Sequence, residues 1–431
     1  MTTPLAPDYG PAGEARLRAF VEQLTGGQVQ RMQRQVRWRP AWFADVQRGA
    51  ETLHLHLRGD REGDVNIFPD LKREADVMAV LAEHGIRVPR IHGYCSDPPC
   101  IVMDTLAGSR DLRQAASDAE RSAVARDCMA QVAAMHRLPV APFVARGLTL
   151  PVGAEAIALV GLQAYWPLYQ RTRRRPEPML AFVIGWLRRH APRHRQAARF
   201  IQFDSGQFLF DQGSVTGLYD FEFAMLGDPM VDLATMRMRD SIEPLGDSMP
   251  ALFRHCEACV GEAIDDAVLD YHTLMFATLG TMQFTGTVAS PTLGGPHAVY
   301  LEFDLALQPG ANASTLDKLR DTVGRITPAQ PIDASRQDAA QKLIEWLAAD
   351  DRGGAELRRH DPHDIAQLLG RPFDDLPSAE SVLEAHVLAA GPEQDIALLQ
   401  LFARLEGRCL QLFGPTRIGH SAQHVRLPTI R

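Results

Sequence analysis

The sequence has very little lysine. Only Lys72, Lys318 and Lys342 stand among its 45 basic residues, so arginine carries nearly all the positive charge. Chemistry that prefers the compact charge of lysine has few places to reside. Cysteine is also scarce, with six residues at 95, 100, 128, 256, 259 and 409, too sparse for a disulfide scaffold in 431 residues. No run approaches the roughly 18 apolar residues of a membrane span. The start, MTTPLAPDYGPAGEAR, lacks the basic and apolar pattern of a signal peptide. The expected location is therefore the cytoplasm, with reduced thiols. G-x-S-x-G, H-E-x-x-H and internal repeats are absent. The net charge of −8 speaks against a general attraction to nucleic acid. Expected partners are a small-molecule substrate, with no nucleic acid and no membrane.

The chain has 45% hydrophobic and 23% charged residues, the balance of a globular protein long enough for two or three domains. Residues 1–15 read as a tail and 16–25 as a short helix. From Gln28 the pattern changes to strands. In Glu51–Arg58, Leu53, Leu55 and Leu57 face one way, while His54, His56 and Arg58 face the other. Asp70 reads as the N-cap of a helix from Leu71 to about His84, ended by Gly85. Val88–Ile91 and Cys100–Met103 read as two further strands. Residues 1–105 thus form a small, mostly β region. Residues 106–299 are mostly helical, broken by a β island over 201–223. A Gly/Pro-rich break near Pro291–Pro296 precedes a helical extension over 300–431, whose basic tail begins at Thr416.

The β island carries the chemistry. Phe208–Phe210 and Val215–Tyr219 form a hairpin across Gln212-Gly213. Asp204 precedes the first strand and Asp220 follows the second, so the two carboxylates meet at one end of the hairpin. Such a pair suits a metal-bound phosphate. One carboxylate orients the attacking hydroxyl and the other holds Mg²⁺.

Asp220-Phe221-Glu222 and Gly227-Asp228-Pro229…Asp232-Leu233-Ala234 resemble the D-[WF]-E and G-D-P-x-x-D-L-A elements of the aminoglycoside phosphotransferase and choline-kinase-like family. Upstream features fit in order: Arg58 at a strand end, Arg73-Glu74 in a helix, Ile101–Gly108 as a hinge, and Met135-His136 at a helix end. The resemblance covers roughly residues 20–290. It implies a two-lobed, protein-kinase-like α+β fold with an N-lobe over 1–105 and a C-lobe over 106–299. It also implies ATP and Mg²⁺ as cofactors. In this reading Arg58, oriented by Glu74, and Met103 of the hinge bind the nucleotide. Asp220, Gln207 and Glu222 hold the metal, and Asp204 is the catalytic base. Asp228 and Asp232 cap a helix or brace the loop backbone.

The family pattern H-G-D-x-x-x-x-N is altered. Counting back from Asp220, the asparagine falls on Gln207, the aspartate on Gln202 and the histidine on Phe200. Asp204 lies two residues beyond the counted position. Gly26-Gly27-Gln28 resembles the start of a phosphate loop, but no G-x-G-x-x-G follows. Nine arginines crowd residues 171–199, with Glu177 the only acid. Such a stretch repels polycationic aminoglycosides and attracts anions, unless it is simply a solvated helix face. The leading expectation is an ATP-dependent phosphotransferase acting on a hydroxyl of a small anionic metabolite. The second is an inactive kinase-like protein that binds a nucleotide or metabolite, or scaffolds a partner. The extension could shape the acceptor pocket or make a homodimer contact. His255-Cys256-x-x-Cys259 reads as buried helical thiols, and Trp38-Arg39-Pro40-Ala41-Trp42 as packing between strands.

Overall fold

The computed structural model describes residues 7–35, 39–60, 67–68, 70–240, 244–284, 310–328 and 331–413. The expected break at 291–296 and the tail from Thr416 lie outside these residues. Within them the chain divides into two compact units, 7–164 with 192–273, and 165–191 with 274–413. Segment 165–191 thus groups with the later helices instead of with its sequence neighbours.

The first unit opens with α1 (Pro11–Thr25), strands β1 (Gln28–Arg34), β2 (Ala41–Arg48) and β3 (Glu51–Gly59), and helix α2 (Leu71–Glu83). Strands β4 (Ile91–Ser96) and β5 (Pro99–Asp104) complete an antiparallel sheet of order β1-β2-β3-β5-β4. Helix α1 starts earlier than the expected 16–25, because Pro11 at the first helical position is pre-set for the turn. Strand β4 begins at Ile91, after the expected Val88–Ile91. Pro89 has no N–H for a ladder. Helix α2 runs as expected: the Asp70 carboxylate accepts from the Lys72 amide at 3.0 Å, and Gly85 takes φ 78°.

Period-two alternation gives the sheet two buried faces. Leu55, Leu57, Trp42, Val46 and Val102 pack with Leu17 and Val21 of α1. Burying each large side chain contributes about 1.5–3 kcal/mol. Met78 and Leu81 of α2 join Ile101 and Met103 in a second core that continues into the helical lobe through Val124, Phe200 and Phe221. Arg58, out of phase with the leucines, does not stay in solvent; it is 8% exposed.

The helical lobe continues with α3 (Asp118–His136), α4 (Ala141–Ala145), α5 (Ala154–Ala158), α6 (Val160–Thr172) and α7 (Pro178–Arg189). Four short strands follow: β6 (Arg199–Ile201), β7 (Phe208–Asp211), β8 (Ser214–Leu218) and β9 (Met225–Gly227). Strands β7 and β8 form the expected hairpin, and β6 pairs with β9. Gln212 and Gly213 both have positive φ, 47° and 79°, as a two-residue turn of right-twisted strands requires. Helices α8 (Met230–Asp240), α9 (Met249–Val260) and α10 (Asp266–Phe284) come next.

The second unit holds α7 with α11 (Ala313–Gly324), α12 (Pro331–Leu369), α13 (Leu376–Ala389) and α14 (Asp395–Phe413). Phe182, Ile365, Leu383, Leu401 and Phe402 form its main core. Every regular element in the described part of the extension is a helix. No helix among the described residues is long and apolar enough to cross a membrane.

Candidate functional site

The loop entering β7 is shaped by Asp232 of α8. Its fully buried carboxylate accepts the amides of Gln202 at 3.1 Å and Phe203 at 2.8 Å, and lies 2.9 Å from His136 Nε2. It therefore braces the loop backbone. Phe203 takes φ 73°, a left-handed conformation unusual for an aromatic residue, and its ring is fully buried. This turn sends Gln202 inward and presents Asp204. The Gln202 amide Nε2 donates to the Tyr219 carbonyl at 2.8 Å and ties the two site loops together.

Asp204 meets two partners. Arg239 Nη2 lies 2.5 Å from Oδ1, and Gln207 Nε2 donates to Oδ2 at 2.9 Å. Arg239 Nε also donates to the Ser205 carbonyl at 3.0 Å, so one guanidinium clamps the loop and the carboxylate. Burial pushes the Asp204 carboxyl above the ordinary aspartate range, and the charges of Asp220 and Asp232 add to this; Arg239 opposes it. The Tyr219 amide donates to the Gln207 carbonyl at 3.1 Å, so the loop that carries Asp204 and the strand end before Asp220 are bonded together.

Counting back from Asp220 had set the base position on Gln202 and a histidine position on Phe200. Gln202 is buried in a structural bond, and Phe200 lies in the core, stacked on Phe143. Asp204 and Gln207 are three positions apart, where the family pattern places its aspartate and asparagine five positions apart.

Asp220 also has positive φ, 66°, at the exit of β8. Its Oδ1 is ion-paired with Arg58, whose Nε lies 3.0 Å from Glu74 Oε2. Glu74 Oε1 accepts the Phe221 amide at 3.2 Å, fixing the residue between Asp220 and Glu222. Sequence reading missed a further member, Arg39. It is 5% exposed, lies 3.4 Å from Glu74 and pairs with Glu222. Trp42 alone of the described part of that aromatic cluster fulfils the expected packing role. No pattern in the sequence singled out Arg39, which lies in the connection between β1 and β2. Arg73 donates to the carbonyls of Glu222 at 3.3 Å and of Ala224.

Two guanidiniums and three carboxylates are therefore gathered below one sheet end. Burial works against the Arg58 charge, yet Glu74, Asp220 and Glu222 outweigh it and raise its pKa. Burial and the neighbouring Arg58 lower that of Arg39, against Glu74 and Glu222. Burial pushes Arg73 down to about 10.

The donor set suits magnesium. This ion takes one or two carboxylates and fills its other positions with phosphate oxygens and water. Asp220 and Glu222 are two such carboxylates, both already facing cations. Among the described residues no group of three or more His, Cys, Asp or Glu could hold a metal by itself. Gln207, expected as a ligand, directs its amide nitrogen at Asp204. Met103, expected at the nucleotide, sits in β5 opposite His56, its side chain in the core with α2.

A cavity of about 690 Å³ adjoins the Asp204 loop. Gln207, Tyr219 and Arg239 line it, together with Arg110, Arg113, Arg121, Leu112 and Leu245. Of the nine arginines in the run, Arg171, Arg174, Arg175, Arg188, Arg193 and Arg199 are exposed, and the three half-buried ones make internal ion pairs. Arg195 forks onto Asp228 at 2.9 and 3.0 Å, Arg189 lies 2.7 Å from Asp395, and Arg173 pairs with Glu384. Burial by itself would raise the Asp228 carboxyl, but His272 and Arg195 hold it well below the usual range. Asp228 also accepts the Met230 amide at 3.0 Å at the start of α8. Cys256 is buried, its thiol pushed up to about 12, and Cys259 lies 3.7 Å from His255 on the same helix.

No curated protein matches the sequence. Three solved structures resemble the chain. A Ralstonia eutropha JMP134 protein described as an aminoglycoside phosphotransferase is 19% identical, covering 64% of this chain and 91% of its own, with a TM-score of 0.49. A macrolide 2'-phosphotransferase from Brachybacterium faecium is 20% identical, over 62% and 91%, with a TM-score of 0.44. A type I macrolide 2'-phosphotransferase is 17% identical, over 66% and 92%, with a TM-score of 0.47. The fold itself is read from the five-stranded sheet with α2, the helical lobe and the β7–β8 hairpin. The sequence of residues 46–255 matches the phosphotransferase enzyme family. Residues 46–255 thus carry the sequence pattern of the phosphotransferase enzyme family, on an α+β architecture of a five-stranded sheet followed by a mostly helical region with the β7–β8 hairpin.

Proposed function

We propose that the protein is an ATP-dependent phosphotransferase acting on a hydroxyl of a small anionic metabolite, not an aminoglycoside. The observation that supports this reading is the joining of the loops that carry Asp204 and Asp220, where the Tyr219 amide donates to the Gln207 carbonyl at 3.1 Å and Gln202 Nε2 to the Tyr219 carbonyl at 2.8 Å, with Asp220 ion-paired to Arg58 and Arg58 to Glu74. Arg58, held by Glu74, would grip the nucleotide phosphates, and Arg39 would be a second cation above them. Met103 would border the base of the nucleotide. Asp220 and Glu222 would hold Mg²⁺, which when bound neutralises charge on the transferring phosphoryl group. Gln207 then serves to orient Asp204. Asp204 takes the hydroxyl proton as the acceptor oxygen bonds to the γ-phosphorus, and the bond to the β-phosphate oxygen breaks to leave ADP. Positioning and charge neutralisation supply most of the acceleration.

Mg²⁺-dependent ATP consumption that requires an acceptor alcohol tests this reading. Asp220→Ala should abolish it. Asp204→Asn should lower turnover by about 10²–10⁴-fold while leaving nucleotide affinity intact; full turnover in that variant removes Asp204 as the base.

The pairing of Asp204 with Arg239 favours a second reading, an inactive kinase-like binder or scaffold. Thermal melts separate the two. Stabilisation by ATP only with Mg²⁺ supports the enzyme, and indifference to both supports the scaffold.

A further inference from the structure

The cavity beside Asp204 offers an acceptor site with its own chemistry. Gln207 and Arg239 both line it, and both hold the Asp204 carboxylate, at 2.9 and 2.5 Å. Two of the lining side chains thus touch the group assigned to accept a proton, although Asp204 itself is not part of the lining. Its volume, about 690 Å³, falls in the range of small-molecule sites. The rest of its charge comes from other elements: Arg110 and Arg113 from the segment after β5, and Arg121 from α3. Among the described residues Asp111 is the only acid in the lining, and Arg113 already neutralises it at 2.9 Å. Arg121 pairs with Asp118, which does not line the cavity.

We propose that this cavity is the acceptor site, and that it takes an alcohol bearing a phosphate or carboxylate group, held by Arg110, Arg113 and Arg121 while the hydroxyl faces Asp204. This inference rests on the phosphotransferase reading. Planar guanidinium forks match both anions in two-point geometry. A polycationic sugar would meet like charge on the same wall. The anion recognised could instead be the nucleotide's own phosphate, and the test separates the two sources.

The probe is inorganic phosphate, titrated calorimetrically into the full-length protein saturated with MgAMP-PNP. Saturable binding is expected. Arg113→Ala and Arg121→Ala should each weaken it by roughly tenfold, the value of a charge-assisted hydrogen bond. MgAMP-PNP affinity and melting temperature should stay at the wild-type values. Arg193→Ala, in the dense arginine run, should leave phosphate binding unchanged.

Competition between phosphate and MgAMP-PNP, or an equal loss of nucleotide affinity in the two arginine variants, would assign the cavity to the nucleotide and overturn the proposal. No phosphate binding at about 10 mM would overturn it as well. Phosphate binding by a protein that takes no MgAMP-PNP would strike the phosphotransferase reading instead, leaving an anion site without that role.

Discussion

The arginines of the 171–199 run and those around Asp204 and Asp220 reach their partners by different routes. The first set is dense in sequence: nine residues in a stretch with one acid. Folding disperses it. Arg173 and Arg189 turn to Glu384 and Asp395 in the second unit, and Arg195 turns to Asp228 in the first. The second set is scattered, at 39, 58, 110, 113, 121 and 239, and folding gathers it. Linear charge density is thus a poor guide to a field at a site. What matters is which acids the fold supplies. Three half-buried guanidiniums of the run find a carboxylate at dispersed places, and the other six of the nine stay exposed. Around Asp220, two buried guanidiniums share three carboxylates, of which Glu74 is buried while Asp220 and Glu222 are partly exposed.

The contrast can be tested through stability first. Glu74→Ala would leave Arg39 and Arg58 buried with less counter-charge, and should cost about 3–5 kcal/mol in urea unfolding. A loss well under 1 kcal/mol would mean that solvent already screens the cluster.

A second test concerns proton uptake. Asp204 is a base only when ionised, so activity should fall as pH drops through its pKa, which burial raises above the ordinary value near about 3.9. Arg239 favours the ionised form. Arg239→Gln should therefore move the acid limb of the kcat/KM profile to higher pH. An unmoved limb would show that another group controls it. Full activity at and below the ordinary aspartate range would do the same.

The smallest effect is expected from the run. Arg189→Ala should cost only about 0.2–1 kcal/mol and leave KM for ATP unchanged. A large catalytic loss there would collapse the distinction between the two sets.

Much of the site was legible before folding was considered. The Leu53/Leu55/Leu57 alternation set Arg58 on the opposite face from the leucines, and the helix over 71–83 carried Glu74 to meet it. Asp220-Phe221-Glu222 and the G-D-P-x-x-D element were readable as motifs, because short loops hold their residues at fixed spacing. Arg39 was not readable. Its partners Glu74 and Glu222 lie 35 and 183 residues away, and no local pattern encodes such a meeting. Arg239 was hidden for the same reason. The count alone could not say what occupies the loop: Gln202, at the counted aspartate position, is buried against the Tyr219 carbonyl, while Asp204, two residues on, meets Arg239.

The sequence by itself determined the local elements: the strand phase of β3, the capped helix α2, the hairpin and the acids flanking it. These follow from periodicity, capping and turn chemistry acting over a few residues. Only the tertiary structure decided which charges face one another. Ion pairing depends on distance in space, and burial within the folded unit makes those pairings strong enough to matter.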